Sequence, residues 1–473
     1  MGRITTDICV IGGGSAGLSV AAGAVQMGAR VVLVEGGAMG GDCLNTGCVP
    51  SKALLAAAKA AQAMRDGAGF GVVPVEPVVD FSGVKDHVAR VIAGIAPVDS
   101  VERFQGLGVQ VLQSCGRFTG PDTLEVGGDT ITARRFVIAT GSHPLVPDIP
   151  GLDAVPYLTN ETIFALRDRP DHLIIIGGGP IGMEMAQGHR RLGSAVTVIE
   201  GARALGRDDP DAAALVLSRL RAEGVTVIEA AKVTGIAPGP NVTLADGQIV
   251  TGSHLLLALG RKPALDRLNL PAAGVAFTAK GVTVDTRLRT TNRRIFAIGD
   301  AAGGLMFTHV AGYHAGIVVR QAVLGLPAKA RTDHIPWVTY SDPELAQVGL
   351  TEAEARKAHG ARATVIRSDF AHNDRARTDA RTDAADLGFL KLMVVAGRPV
   401  GVTIVGHGAG ELIGLWALVL SQRLKLSAVA GMVAPYPTYG EISKRAAGAY
   451  FSPQLFDSPM VKRVVQAVQR YLP

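Results

Sequence analysis

Two similar stretches decide the fold, because residues 8–17 read ICVIGGGSAG and residues 173–182 read LIIIGGGPIG. In each stretch a short apolar strand runs into a glycine-rich turn, and the spacing that follows is typical of a helix. A second apolar strand then ends in an acid, Glu35 in the first copy and Glu200 in the second, 23 residues after the first glycine of the turn. The chain therefore contains a duplicated βαβ unit, and each copy has the G-x-G-x-x-G pattern of a dinucleotide site.

The three glycines of each pattern have different physical roles. The first makes a tight turn, the second lets backbone approach a pyrophosphate, and the third lets the helix pack closely on the strand. The helix N-terminus adds partial positive charge, and the acid accepts hydrogen bonds from ribose hydroxyls. Turns that only connect a strand to a helix are the alternative. The residues expected to bind nucleotides are Gly12, Gly14, Ser15, Ala16, Gly17 and Glu35 in the first copy, and Gly177, Gly179, Ile181, Gly182 and Glu200 in the second.

The acid of the second copy bears on the choice of nicotinamide nucleotide. A carboxylate at Glu200 repels the 2′-phosphate of NADP, which favours NAD. Arg203 and Arg207 follow closely and offer an alternative phosphate site, so NADP stays open as a second choice.

Length and composition exclude several classes of protein. A chain of 473 residues predicts two to four domains, and a net charge of +6 without any basic run disfavours nucleic acid as a partner. Four cysteines are too few for a secreted disulfide scaffold, which indicates a reducing, cytoplasmic compartment. The stretch that comes nearest to a membrane span, Leu412–Leu420, is too short to cross a bilayer and predicts a buried helix. We therefore expect a cytoplasmic protein without a membrane partner.

Two of the cysteines, Cys43 and Cys48, lie in the segment 40–52, GGDCLNTGCVPSK. A disulfide needs Cα atoms about 4.4–6.8 Å apart, whereas five extended residues span roughly 17 Å, so the segment must coil. We expect Gly47 to take the unusual dihedral angles that this coil requires. Such a small loop would stabilise the fold by only about 2 kcal/mol, which favours a redox switch over a structural bridge. Two unpaired or merely buried thiols are the alternative.

This segment resembles the active-site motif of the pyridine nucleotide–disulfide oxidoreductase family. The similarity covers essentially the whole chain and includes residues 139–142 (ATGS), 260–263 (GRKP) and 295–300 (IFAIGD). It lies nearest the branches of dihydrolipoamide dehydrogenase and mercuric reductase. The resemblance implies an α/β fold with two Rossmann-like dinucleotide-binding domains, for FAD and NAD(P), and an α+β C-terminal dimerisation domain.

The resemblance also divides the chain and assigns its cofactors. It implies an FAD-binding domain in residues 1–150 with a return segment in 273–330, an NAD(P)-binding domain in 151–272 and a dimerisation domain in 331–473. The first glycine pattern then binds FAD, and the second binds the nicotinamide nucleotide. Further cofactor contacts are expected at Gly41, Lys52, Thr140, Gly141, Glu184, Gly260, Gly299 and Asp300. No metal site is expected.

Roles for individual side chains follow from the same resemblance. Cys43 corresponds to the thiol that exchanges with substrate, and Cys48 to the thiol beside the flavin, where a helix start favours the thiolate. Lys52 corresponds to the lysine at the reactive flavin edge, with Glu184 as its ion-pair partner; an ordinary helix-surface pair is the alternative. Ile181 stands where glutathione-type reductases carry a gating tyrosine, so we expect that gate to be absent.

The chain departs from the family near its C-terminus. Members that act on thiols carry His-x-His-Pro-Thr-x-x-Glu, whereas residues 434–441 read APYPTYGE, with Tyr436 at the place of the acid/base histidine and Glu441 retained. At pH 7 only about one tyrosine in a thousand is ionised, so the usual 10²–10⁴-fold help of a general base would largely be lost. Tyrosine here resembles mercuric reductase, yet the C-terminal cysteine pair of that enzyme is missing. Packing of Tyr436 at a dimer interface is the alternative to a catalytic role.

The sequence thus predicts an FAD-dependent NAD(P)H:disulfide oxidoreductase that uses Cys43 and Cys48. Its substrate is a small-molecule or thiol/disulfide compound, and a metal-thiolate or another oxidant is an equal choice of acceptor. It is expected to be a homodimer whose active site is shared between subunits. One alternative is NAD-linked dihydrolipoamide dehydrogenase. Another is a flavoprotein subunit with a structural or docking role.

Overall fold

A computed structural model describes residues 2–379 and 387–472. The chain forms two compact units. The first comprises residues 1–61, 78–201 and 228–331, and the second comprises residues 62–77, 202–227 and 332–473.

Strands and helices alternate along much of the first unit, and strands followed by helices dominate the end of the second. The strands are β1 Arg3–Ile11, β2 Val31–Glu35, β3 Gln110–Gln113, β4 Gly116–Gly120, β5 Thr123–Val126, β6 Asp129–Ile138, β7 Ser142–Pro144, β8 His172–Ile176, β9 Ala195–Ile199, β10 Val225–Ile228, β11 Val233–Ala237, β12 Asn241–Leu244, β13 Ile249–Thr251, β14 His254–Leu257, β15 Arg261–Pro263, β16 Phe277–Thr278, β17 Gly281–Val282, β18 Ile295–Ala297, β19 Pro336–Thr339, β20 Glu344–Gly349, β21 Ala363–Asp369, β22 Gly388–Val395 and β23 Arg398–Gly406. The helices are α1 Ser15–Gln26, α2 Gly41–Asn45, α3 Cys48–Arg65, α4 Phe81–Ile95, α5 Val101–Gly106, α6 Pro180–Arg191, α7 Pro210–Ala222, α8 Thr308–Ala322, α9 Glu352–His359, α10 Asp374–Thr378, α11 Ala409–Ser421, α12 Leu426–Ala430, α13 Glu441–Phe456 and α14 Pro459–Tyr471.

The larger sheet of the first unit follows the order β3-β2-β1-β6-β5-β4, with β18 also paired to β6. Strands β2, β1, β6 and β18 run parallel, and Ile138 pairs with both Ile11 and Ala297. Because parallel strands end at one edge, the first glycine turn, residues 139–142 and residues 298–300 meet there. Strand β1 is longer than the sequence indicates, since it pairs with β6 from Arg3 onward.

This sheet is covered on both faces. Alternate strand residues such as Val10 and Leu33 pack into one apolar cluster with helices α1 and α8, while Cys9 and Val32 point into a second cluster. Burial on both faces is what an α/β parallel sheet requires, and it explains why these strands are continuous apolar runs.

A second parallel sheet in the first unit carries the second glycine pattern. Strand β8 lies between β9 and β14, and Ile176 pairs with both Ile199 and Leu257. The turn after β8 therefore lies beside the end of β9, where Glu200 follows. The two copies of the βαβ unit have the same local architecture.

The second unit contains an antiparallel sheet in the order β19-β20-β23-β22-β21. Its apolar core includes Trp416 of α11, which is fully buried and donates a hydrogen bond from Nε1 to Ser443 Oγ at 3.1 Å. Helix α11 contains the apolar run 412–420, and among the helices of the described residues none is long and apolar enough to cross a membrane. The predicted combination of parallel dinucleotide-type sheets with an α+β domain is confirmed.

Candidate redox site

The first glycine of each pattern makes a turn that only glycine can form. Gly12 has φ 112° and Gly177 has φ 114°, which lie in the left-handed region. A Cβ atom at Gly12 would overlap the carbonyl oxygen of Ala139, and one at Gly177 would overlap that of Ala258. In both copies the turn passes directly over the neighbouring strand.

The other two glycines differ in what surrounds them. A Cβ atom on Gly17 would overlap the carbonyl oxygen of Gly12, so helix α1 packs tightly on its own turn. The middle glycines face open space, because the nearest atom to a Cβ at Gly14 is 3.8 Å away and none lies within 4 Å of one at Gly179. The space in front of the N-termini of α1 and α6 thus fits a pyrophosphate, as bound FAD and a nicotinamide nucleotide require.

The acids occupy equivalent positions. Glu35 accepts hydrogen bonds from the amides of Gly13 and Gly37, and Glu200 accepts one from the amide of Gly178 at 2.7 Å. In each copy the carboxylate therefore binds the amide that follows the first glycine, which holds it beside the turn.

The segment with the two cysteines coils as expected, but through different glycines. Gly40 and Gly41 have positive φ angles of 84° and 58°, whereas Gly47 does not, so the expectation for Gly47 was wrong. Gly47 is needed for space instead, since a Cβ atom there would lie 2.9 Å from the carbonyl oxygen of Asp42. Close packing of backbone on backbone, rather than left-handed geometry, explains this glycine.

Cys43 and Cys48 are free thiols that lie within hydrogen-bond contact of each other. Cys43 is in α2, and Cys48 is the first residue of α3. The hydrogen bond from Cys43 lowers the pKa of Cys48 to about 6, helped by Thr308 and by the charge of Lys52 against the opposing effect of burial. The same interaction and burial raise the pKa of Cys43. Cys48 is therefore the thiol that ionises first.

Three helices begin at this pair of thiols. Cys48 Sγ lies 3.4 Å from the hydroxyl of Thr308, the first residue of α8. Ser15, the first residue of α1, lies close enough to Cys43 to act on the pKa of that thiol. With Cys48 at the start of α3, the positive ends of three helix dipoles converge on one point, which favours a thiolate there. Thr308 was not predicted as a site residue.

The ion pair between Lys52 and Glu184 is present, with 2.8 Å between Nζ and Oε2. The two residues lie on α3 and α6, and the Glu184 side chain is only 6% exposed, so this is not a pair on one helix surface. Ile181, the second residue of α6, is 43% exposed.

A second network, centred on Arg261, was missed by the sequence analysis. The Arg261 guanidinium lies 3.2 Å from Asp42 and donates from Nε to Ser142 Oγ at 2.7 Å. The Ser142 hydroxyl in turn donates to Asp300, whose pKa is raised mainly by burial. Asn160 donates to the other oxygen of Asp42 at 2.8 Å. Arg261 belongs to the motif GRKP, which was the only signal available.

The remaining predicted cofactor contacts lie just after the ends of strands. Gly141, Gly260 and Gly299 have positive φ angles of 70°, 109° and 60°. The hydroxyl of Thr140 is buried and has no hydrogen-bond partner among the described residues, as expected of a group that meets a cofactor. The amide of Gly299 donates to His314 Nδ1 at 3.2 Å, and burial lowers the pKa of this histidine. His314 was also missed.

Tyr436 and Glu441 belong to the second unit. Tyr436 is 71% exposed and donates a hydrogen bond to Asp374 Oδ2 at 3.0 Å, and this bond raises the pKa of the phenol above its usual 10. Glu441 is the first residue of α13. Their catalytic roles stay predictions. Among the described residues no group of three or more His, Cys, Asp or Glu side chains is arranged to hold a metal ion.

Comparison with known proteins agrees with this geometry. Residues 6–315 match the family model of pyridine nucleotide-disulphide oxidoreductases, and residues 335–447 match the dimerisation domain of the same family. The chain is 33% identical to mercuric reductase from Bacillus cereus over 94% of its own length and 71% of that protein. It is 32% identical to dihydrolipoyl dehydrogenase from Bacillus subtilis (strain 168), covering 92% of this chain and 96% of that one.

A solved structure resembles most of the chain. The Cu(II) complex of the HOCl-induced flavoprotein disulfide reductase RclA from Escherichia coli superposes with a TM-score of 0.82 at 29% sequence identity. The match covers 93% of this chain and 99% of the reductase. Relatives of this chain therefore include proteins named for mercury, for lipoamide and for disulfide reduction.

Proposed function

Because the chain belongs to the pyridine nucleotide-disulphide oxidoreductase family, whose members bind FAD and take electrons from NAD(P)H, we propose that it reduces a disulfide, a metal-thiolate or another oxidant through Cys43 and Cys48. The observation that carries this proposal is the thiol pair itself. Cys43 of α2 is in hydrogen-bond contact with Cys48, the first residue of α3, and the pKa of Cys48 is lowered to about 6.

The cofactors are assigned to the two glycine patterns. We place FAD in residues 1–150 and 273–330, where Gly14 leaves open space and Thr140 has an unpartnered hydroxyl. We place the nicotinamide nucleotide in residues 151–272, where Gly179 leaves the same open space. The carboxylate of Glu200, held beside that turn, favours NAD over NADP.

Cys48, Lys52 and Cys43 have separate roles in the proposed reaction. Bound FAD supplies the two-electron transfer between the nicotinamide nucleotide and the cysteine pair. Cys48, as the thiolate, would be the thiol that exchanges electrons with the flavin, and Lys52, paired with Glu184, places positive charge near it. Cys43 exchanges with the substrate, and Cys48 Sγ is the base within hydrogen-bond contact of the Cys43 proton.

A disulfide substrate is then reduced in two thiol exchanges. The Cys43 sulfur attacks one substrate sulfur, its proton passes to Cys48, and the first substrate thiolate leaves. Cys48 passes this proton to the departing first thiolate, and the Cys48 thiolate then attacks Cys43 in the mixed disulfide, which releases the second substrate sulfur as a thiolate and re-forms the Cys43–Cys48 disulfide. Two electrons leave the cysteine pair, and two enter the substrate.

The match to the family's dimerisation domain supports a homodimer. We propose that the active site is shared, with Tyr436 and Glu441 facing the thiols of the other subunit. The hydrogen bond from Tyr436 to Asp374 raises the pKa of the phenol and keeps it protonated. Tyr436 therefore contacts the electron acceptor and does not act as a general base. This favours a metal-thiolate or another oxidant over a dithiol that needs a base.

Anaerobic reduction of the purified holoenzyme with NADH tests the proposal. Two-electron reduction should produce a long-wavelength charge-transfer band, which Cys48→Ser should abolish and Cys43→Ser should retain. A panel of acceptors then identifies the substrate: lipoamide, glutathione disulfide, mercuric and cupric salts, and quinones. If the band persists in Cys48→Ser, the assignment of Cys48 as the thiol beside the flavin is wrong. If NADH fails to bleach the flavin, the proposed reductase function is wrong and a docking or structural role for the flavoprotein is favoured instead.

A further inference from the structure

A positively charged groove lies in the first unit, away from the cofactor turns. Its volume is about 380 Å³, and it is lined by Thr5, Thr6, Asp7, Arg30, Thr132, Ala133, Arg134, Arg135 and Arg294. These residues come from β1, β6 and the segments next to β2 and β18. Thr6 precedes Gly12 by six positions on an extended strand, so the groove is roughly 20 Å from the first glycine turn. None of its lining residues belongs to either glycine pattern.

The groove contains more positive charge than its own carboxylate can neutralise. Asp7 is the acid of the lining, and it is bound to Arg30 at 3.0 Å. Arg294 forms an exposed pair with Asp122 at 3.4 Å. Arg134 and Arg135, by contrast, form no ion pair within the described part of the chain.

Arg135 lies among other guanidinium groups rather than among acids. Burial, and the charges of Arg134, Arg289 and Arg294, all lower the pKa of Arg135. The Nε of Arg289 is buried and has no hydrogen-bond partner among the described residues, although its guanidinium lies over the ring of Phe296. Like charges packed in this way repel each other, and a buried N–H without an acceptor is unusual in a folded protein.

Hydroxyl groups accompany the arginines. Thr6 donates its hydroxyl to the carbonyl of Arg30 at 2.8 Å, but the hydroxyls of Thr5 and Thr132 bond to none of the described residues. Arginine forks with free hydroxyls are the groups that proteins use to bind phosphate oxygens. The groove is open to solvent rather than enclosed, and its volume is of the size that holds one small molecule.

We propose that this groove binds a small phosphate-bearing anion, such as a pyrophosphate or the diphosphate of a mononucleotide. The anion would neutralise Arg134 and Arg135 and accept hydrogen bonds from Thr5 and Thr132. This site is separate from the redox chemistry, and the proposal stands whether or not the assigned acceptor is correct.

Equilibrium dialysis of labelled inorganic pyrophosphate against the FAD-loaded enzyme tests it, with saturating NAD present so that the second glycine pattern is filled. The wild-type protein should bind one pyrophosphate per chain. Arg134→Ser/Arg135→Ser should weaken that binding at least tenfold, while Arg134→Lys/Arg135→Lys, which keeps the charge and loses the fork, should fall between the two. The matched control is Arg356→Ser/Lys357→Ser, which removes two neighbouring exposed cations from α9 and should change binding by less than twofold.

Flavin content and melting temperature establish that each variant folds, so a lost affinity is assigned to the groove. The proposal would be overturned if the wild-type enzyme bound no pyrophosphate, or if the double serine variant bound it with equal affinity. The arginines would then be ordinary solvent-exposed surface residues. Displacement by sulfate as effective as by unlabelled pyrophosphate would overturn the assignment to phosphate.

Discussion

The guanidinium of Arg261 lies 3.2 Å from the carboxylate of Asp42, the residue immediately before the first cysteine of the pair. The same side chain donates to Ser142, whose hydroxyl donates to Asp300. One arginine therefore connects the loop of Cys43 to Asp300, a predicted cofactor contact. It is therefore a positioning residue.

Arg261→Lys should loosen this connection, because lysine is a point charge that cannot donate to two partners in the planar geometry of a guanidinium. We expect a loss of stability of about 1.5–3 kcal/mol, typical of hydrogen bonds to charged groups, and weaker retention of FAD. Urea unfolding and the flavin released on ultrafiltration measure both.

The matched control for this change is Lys262→Met. Lys262 is the next residue, is 52% exposed and pairs with Asp266 on the surface at 3.0 Å. Its loss should change stability by less than about 1 kcal/mol and leave flavin content unchanged. Equal effects of the two variants would show that Arg261 acts only as surface charge.

The lowered pKa of Cys48 predicts how the reduced enzyme reacts with iodoacetamide. The rate of alkylation of the wild-type enzyme should rise with pH and reach half its maximum near pH 6. Thr308→Val should slow alkylation at pH 6 by about tenfold, because a hydrogen bond to the Cys48 thiolate is lost. Thr234→Val on an exposed strand is the control and should change nothing. Peptide mapping must locate the label on Cys48; label on Cys43 at pH 6 would contradict the order of ionisation.

The same pKa has a consequence for folding. An unfolded cysteine ionises near pH 8.5, whereas Cys48 in the folded protein ionises near pH 6. Between these values the folded state holds fewer protons on Cys48, so its contribution to stability rises with pH and is lost as pH falls through 6. Subtracting the urea-unfolding profile of the reduced Cys48→Ser variant from that of the reduced wild-type protein isolates this slope. A flat difference between pH 6 and 8 would show that the thiol is not perturbed.

Two glycines of the second glycine pattern have different roles, Gly179 in nucleotide binding and Gly182 in folding. A Cβ on Gly179 meets no atom within 4 Å, so Gly179→Ala should change stability by less than about 1 kcal/mol yet raise the KM for NADH roughly tenfold by filling the pyrophosphate space. Gly182→Ala would overlap the carbonyl oxygen of Gly177 and should destabilise the fold by more than about 2 kcal/mol. If Gly179→Ala unfolds the protein instead, the space has a structural role.

These glycines were predictable because their geometry is local: each lies within a few residues of the strand and helix that require it. Arg261 was not assigned, because its partners Asp42 and Asp300 are distant in the chain and no periodicity brings them together. Gly47 was misjudged for a related reason. Its closest neighbour is the carbonyl oxygen of Asp42, which becomes visible only when the loop is folded. Sequence patterns therefore predicted the fold and the cofactor turns, but not the contacts between them.

The phenol of Tyr436 tests the choice between a dithiol substrate and another acceptor. Its hydrogen bond to Asp374 raises its pKa, so at neutral pH it is protonated and cannot act as a base. Tyr436→Phe should therefore leave turnover of dihydrolipoamide as low as in the wild-type enzyme. Tyr436→His introduces a group that titrates near 6.5, and it should raise that turnover by about 10²-fold, with a rise in rate through that pH. Tyr471→His, at an exposed position of α14, is the control for an added histidine and should have no effect. Rapid dihydrolipoamide turnover by the unmodified enzyme, or its loss in Tyr436→Phe, would instead assign the tyrosine a catalytic role in dithiol exchange and make lipoamide the substrate.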